Sequence, residues 1–153
     1  MKTTLATILV LSSFSTVSHA GEKEALIATG KTKFEQVCIA CHKYERTEQM
    51  IAPPAFAIQT HYAQQFGENE AAFRKAIVDW AKHPDADKTL MPGAITKFNL
   101  MPPLPLPDED LDAIAAYIFS TEFTEKCDMK GMEGMQNGMG KKAGQRMKAG
   151  NAN

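Results

Sequence analysis

The chain has 153 residues, 44% of them apolar and 23% charged, with a formal net charge of −1. That suits one globular domain with a modest core and is too short for two. The charge balance excludes nucleic acid as a partner, which needs a basic surplus. Three cysteines are too few, and odd in number, for a disulfide framework.

Residues 1–20 read as a secretory signal peptide. Lys2 is the only charge before Glu22, Thr4 to Phe14 is apolar, and Val17-Ser18-His19-Ala20 places small residues before a cut near Gly21. The run is too short to span a bilayer, and no later stretch is apolar enough. The expected location is the periplasm, as an exported soluble protein without a membrane span.

The rest divides by charge. Residues 21–126 carry 11 basic and 16 acidic side chains, net −5, and residues 127–153 carry 5 basic and 2 acidic, net +3. The second segment has no aromatic residue and no Leu, Ile or Val. It cannot bury enough surface to offset its ordering entropy, so a disordered tail rich in Met, Gly and Lys is expected.

Within 21–126 the pattern predicts three helices and no strand. The first spans about Glu24 to Cys41, with Ile27, Gly30, Phe34, Val37, Cys38 and Cys41 on one face. The second spans about Asn69 to Lys82. Asn69 caps it, Phe73, Ile77 and Trp80 form its stripe, and Pro84 stops it. The third spans about Glu109 to Ser120, with Asp108 as its cap and Leu111, Ile114, Tyr117 and Ile118 inside. Between the last two lies a long loop, Pro84 to Pro107, with six prolines. Loops of that length are usually functional or wrapped around something. Three helices are a thin core, which a large bound cofactor would complete.

Cys38-Ile39-Ala40-Cys41-His42 is a C-x-x-C-H run, the signature of covalent c-type haem attachment. Two thiols three residues apart on a helical turn can form thioethers with both vinyl groups of one haem. The next residue brings an imidazole under the iron as proximal ligand. An export signal agrees with this chemistry. A thioredoxin-like redox pair would need a preceding strand in a βαβ unit, and a structural zinc site would need a second Cys/His pair.

Here the sequence resembles the class I cytochromes c, small soluble proteins with one haem. The resemblance covers about Gly30 to Ser120. Gly30, Phe34 and Cys38 match the run that leads into the haem motif, and Ala52-Pro53-Pro54-Ala55-Phe56 resembles the segment whose proline carbonyl holds the proximal histidine. Met101-Pro102-Pro103 followed by Pro107-Asp108-Glu109-Asp110-Leu111 looks like the methionine-ligand loop running into the last helix. The resemblance implies an all-α fold, with three main helices and long loops around one covalently attached haem. It implies haem c on Cys38 and Cys41, iron ligands His42 and Met101, and Pro54 as the carbonyl that orients His42. It also implies that Ile114 and Tyr117 meet Gly30 where the first and last helices cross.

For the sixth ligand the candidates are Met50, Met91, Met101, His61 and His83. Met101 sits in a proline-stiffened loop that can hold a weak thioether ligand at fixed distance. Met91 is the strongest rival, although Met91-Pro92-Gly93 reads better as a tight turn opening the loop. Tyr62 and Trp80 are candidates to reach a haem propionate, and Phe34, Phe56, Phe98 and Leu100 to line the pocket. An apolar docking patch is expected from Ile39, Ala40, Ala52, Pro53, Leu100, Pro102 and Pro103, ringed by Lys43, Arg46, Lys88 and Lys97.

The function expected is a carrier of single electrons, not an enzyme. Its partners would be redox proteins: a respiratory complex, an oxidase or a periplasmic reductase. The alternatives are a haem-based ligand binder or peroxidase-like protein with a labile sixth site, or an electron-transfer subunit of a larger oxidoreductase. In the tail, Cys127, Met129, Met132, Met135 and Met139 offer soft donors that select Cu(I). A low-complexity tail without a ligand is the plainer reading, since biased composition readily produces such spacings.

Overall fold

The computed structural model of the protein describes residues 19–124. The expected leader, except its last two residues, lies outside them, and so does the expected tail with Cys127 and its methionines. The described residues are all-α, with five helices and no strand. These are α1 (His19–Lys33), α2 (Ala55–Phe66), α3 (Glu70–Lys82), α4 (Pro92–Phe98) and α5 (Asp108–Ser120).

Three of these match the expected helices, with changes at their ends. α1 gives way at Lys33 to a π turn over Phe34–Cys38, closed by Ile39 N–H donating to the Phe34 carbonyl at 3.0 Å. That wider turn shifts the side-chain register. Val37 and Cys41, expected on the inner face, are exposed, whereas Gly30 and Phe34 stay buried. Asn69 does cap α3, its side chain accepting from Ala72 N–H at 3.1 Å. At α5 the cap position is Pro107, and Asp108 is the first helical residue with no capping bond.

α2 and α4 correct the expectation of three helices. In α2 the buried residues Ala55, Phe56, Ala57 and Tyr62 include three in a row, so no helical stripe marks the sequence. Pro54 stands in extended backbone just before it, and Gly67, at φ 56°, closes it. In α4, Pro92 occupies the first turn, where its missing N–H has no partner to lose. The tight turn expected at Pro92-Gly93 is therefore a helix start. Asn99, at φ 66° and ψ 179°, ends α4 in a strained conformation that only glycine adopts readily, and the chain then runs on without regular structure to Pro107.

α5 is the central element and packs on α1, α3 and α2. Its inner residues Leu111, Ile114, Tyr117 and Ile118 are buried as expected. α1 crosses it at Gly30. A Cβ there would fall 1.8 Å from the Ala113 carbonyl oxygen and 2.9 Å from Tyr117 Cβ. The contact expected with Ile114 is thus made with Ala113. The first turn of α5 is acidic, which suits the positive end of its dipole. It is also tied sideways: Asp110 to Lys33 of α1, and Asp108 and Asp112 to Lys82 and Arg74 of α3. At the other end, the Gln59 amide of α2 donates to the carbonyls of Ile118 (2.6 Å), Phe119 (3.3 Å) and Thr121 (2.7 Å). A side chain thereby satisfies carbonyls that the helix leaves open.

Two predictions follow from this packing. Gly30→Ala places its methyl against backbone that cannot rotate away, so α1 and α5 must separate; the expected loss is about 3 kcal/mol, the upper end for overpacking. Gly93→Ala, whose added Cβ meets nothing within 4 Å, should be tolerated. Denaturant melts of both variants test this, and equal stabilities would place the tight crossing elsewhere. Gln59→Leu should cost roughly 1–3 kcal/mol by stranding buried carbonyls. Hydrogen exchange should then accelerate first in the last turn of α5.

Candidate functional site

The chain after the π turn makes one hydrogen-bonded turn. The Cys38 carbonyl accepts from Cys41 N–H (3.1 Å) and His42 N–H (2.8 Å). This turn puts Cys38, Cys41 and His42 in the wall of one cavity of about 200 Å³. α4 and the segments flanking it also line the cavity, through Met91, Phe98, Leu100 and Met101. Leu104 N–H donates to the Ala81 carbonyl at 2.8 Å, which anchors the run after α4 to the last turn of α3. Phe34 of the π turn, Tyr62 of α2, Ile77 and Trp80 of α3, and Leu111 and Ile114 of α5 also line it.

His42 is held by its own backbone neighbourhood. Its Nδ1–H donates to the Pro53 carbonyl at 2.7 Å, and Ala55 N–H donates to the Lys43 carbonyl at 2.8 Å. These two bonds fasten the C-x-x-C-H turn to the entry of α2. The acceptor is Pro53, not the expected Pro54. The Pro54 carbonyl serves the first turn of α2, accepting from Ala57 N–H (3.0 Å) and Ile58 N–H (3.2 Å). With Nδ1 as the donor, Nε2 carries the lone pair that can bind a metal. Burial holds the His42 imidazole below its ordinary pKa, and the Pro53 bond pulls weakly the other way. The ring is therefore neutral near pH 7, the form that ligates.

Burial, with the neighbouring Cys41, pushes the Cys38 thiol up to about 11. Thiol–disulfide exchange needs a thiolate attacker. This pair is poorly suited to that role, and the missing strand argues the same way. A thiol that stays protonated can still add across a vinyl double bond. Among the described residues no group of three or more His, Cys, Asp or Glu is placed to hold a bare metal ion. The donors lining this largely apolar space are two thiols, an imidazole and the thioethers of Met91 and Met101. That set fits an iron tetrapyrrole anchored through sulfur.

Of the sixth-ligand candidates, the structure brings Met91 and Met101 to the wall; Met50, His61 and His83 are not part of it. Met91 stands just before α4, where its carbonyl accepts from Ala94 N–H at 2.9 Å, and it packs on the hydrophobic core. Met101 lies in the run after α4. Phe56, expected in the wall, is instead buried beneath it, with the Arg46 guanidinium 5.4 Å above its ring. The expected apolar patch also changes. Ala52 is buried, while Ile51 and Leu100 stand exposed at the cavity's edge (66% and 43%). Sequence reading missed Ile51 for lack of any periodic signal in that loop. It missed Leu90, Ala94 and Ile95 of the wall because α4 itself was read as loop.

Comparison with protein families matches residues 27–122 to the family described as Cytochrome c. No curated protein and no solved structure matches the chain.

Proposed function

The chain belongs to the cytochrome c family, whose members hold haem c covalently and transfer electrons, and on that premise we propose an exported carrier of single electrons with His/Met-ligated iron. Cys38 and Cys41 would hold haem c through thioethers, and His42 Nε2 and Met101 Sδ would be its iron ligands. The observation that carries this reading is the convergence of Cys38, Cys41, His42 and Met101 on one cavity, with His42 Nδ1–H fixed on Pro53 at 2.7 Å. Bound haem supplies an iron that cycles between ferric and ferrous.

The chain's own residues set how that iron behaves. The Pro53 bond keeps the His42 ring oriented and its Nε2 basic. A thioether from Met101 favours ferrous iron and raises the potential. The Leu104–Ala81 bond anchors the run that carries Met101. Phe34, Phe98 and Leu100 keep the surroundings apolar, and the Tyr62 hydroxyl and Trp80 indole N–H are donors for a propionate. With His42 and Met101 both engaged, an electron would pass without any substrate having to bind. The partners are redox proteins that meet the cavity's edge at Ile51 and Leu100, through the small interfaces usual for such encounters. Export to the periplasm follows from the signal-like pattern of residues 1–20.

Two outcomes test this. The haem should stay with the polypeptide on a denaturing gel and through acid–acetone extraction. Cys38→Ser with Cys41→Ser should release it, and a haem already extractable from the parent chain would refute thioether attachment. The ferric protein should show the weak far-red band of methionine coordination. Met101→Ala should abolish the band, lower the potential and let carbon monoxide bind at once, while Met91→Ala should leave all three unchanged. The reverse pattern would move the ligand to Met91. A parent protein that binds carbon monoxide readily would favour the ligand-binding or peroxidase-like alternative.

A further inference from the structure

Behind the cavity wall, on the side of α1 and α5, lies a set of groups that electron transfer by the iron alone leaves without a role. Phe34 is 1% exposed and forms part of the wall. Its ring stacks on Tyr44 at 5.5 Å between centroids, interplanar angle 22°, and tilts against Tyr117 at 5.7 Å. The two phenols are joined in one direction. Tyr117 Oη donates to Tyr44 Oη at 3.1 Å, and Tyr44 Oη donates to Glu35 Oε1 at 3.1 Å. Tyr117 is buried, Tyr44 half-buried and Glu35 exposed. The line thus runs from the cavity wall to a carboxylate in water.

We propose that Tyr44 is a proton-coupled redox site, which gives an electron to an over-oxidised haem through Phe34 while its phenolic proton passes to Glu35. The inference rests on the haem reading above. The oxidant is hydrogen peroxide, which would reach the iron only where the Met101 thioether gives way, and which takes two electrons and two protons and leaves as two waters. Tyr44 gives the first electron, and its proton moves to Glu35 Oε1 and on to solvent, leaving a neutral tyrosyl radical. Transfer of a hydrogen atom from Tyr117 Oη to Tyr44 Oη restores Tyr44 and leaves the radical on Tyr117. A second oxidation of Tyr44 gives the second electron. In sum, one peroxide and two phenols become two waters and two phenoxyl radicals.

The proton acceptor is what selects Tyr44. Oxidising a phenol makes its proton strongly acidic, so the electron leaves easily only where a base already accepts that hydrogen bond. Burial and the bonds to Tyr117 and Glu35 hold the Tyr44 phenol above its ordinary pKa, so the resting group still carries the proton it must release. Tyr62 lies closer to the cavity and is 5% exposed, and burial alone holds its phenol above the ordinary value. Among the described residues no carboxylate accepts a hydrogen bond from it. Phe34 is too hard to oxidise and serves as the bridge. The result is a route that carries damaging oxidising equivalents away from the porphyrin edge and the methionine ligand.

The test is to mix ferric holoprotein with hydrogen peroxide, freeze it rapidly and record electron paramagnetic resonance. In parallel, the trapped radical is located by spin-trap labelling and peptide mass spectrometry. The expected result is a tyrosyl signal with the label on Tyr44. Tyr44→Phe, which keeps the ring stack, should abolish that label, and Glu35→Gln should lower the signal several-fold while the visible spectrum stays unchanged. A label on Tyr62 or Trp80, or a signal untouched by Tyr44→Phe, would overturn the proposal. The haem reading is checked separately in the same samples: a chain without bound haem fails that reading, whereas a normal holoprotein without a Tyr44 radical fails only this one.

Discussion

The structure depends on a close crossing of two helices. At Gly30 the backbone of α1 lies so near the Ala113 carbonyl of α5 that no side chain fits between them. That proximity brings Phe34, one turn later, to the centre of the core, where it is almost wholly buried. The π turn that follows then delivers Cys38 to the cavity instead of continuing the inner stripe. The crossing angle is further held by charge: Lys33 leaves α1 just below the crossing and pairs with Asp110 at 2.8 Å. Such part-exposed pairs contribute little stability each. Their effect is on register, because Asp108, Asp110 and Asp112, near the start of α5, meet cations from two different helices.

The site itself is assembled from segments far apart in sequence. The C-x-x-C-H turn can present its donors, but nothing local can orient His42. Orientation comes from Pro53, eleven residues later, in a segment that cannot form regular helix because of its two prolines. Pro53 therefore has a carbonyl to give away, whereas the Pro54 carbonyl is drawn into α2. The distal wall is fixed by the same device: prolines from 102 to 107 keep the chain extended, and one backbone bond ties it to α3.

How much of this was legible in the sequence follows from the range of the forces involved. The C-x-x-C-H run led to the family that the comparison shows, and the Asn69 cap and the inner face of α5 are local patterns that the structure bears out. Gly30 was legible as a close approach, though its partner residue shifted from Ile114 to Ala113. α2 and α4 were not legible. One hides its burial in a run of adjacent apolar residues, and the other begins with a proline that reads equally as a turn. The π turn has no sequence signal, so Val37 and Cys41 were assigned to the wrong face. The choice of Pro53 over Pro54 depends on where α2 begins, and an error of one residue in a helix start moves the orienting carbonyl by one residue.

Phe34 shows how tightly these parts are linked. It lies one helical turn beyond the crossing, forms part of the cavity wall and stacks on Tyr44. A smaller residue there would open the wall, loosen the α1–α5 contact and lengthen the path to Tyr44 together. No substitution at Phe34 can therefore assign a role to it. The roles separate only at its neighbours: Gly30 reports on the crossing, Met101 on the iron, and Tyr44 with Glu35 on proton-coupled oxidation. Each of these three contacts Phe34's surroundings from a different direction. A change confined to one of them should leave the other two readouts in place, because the ring between them keeps its position.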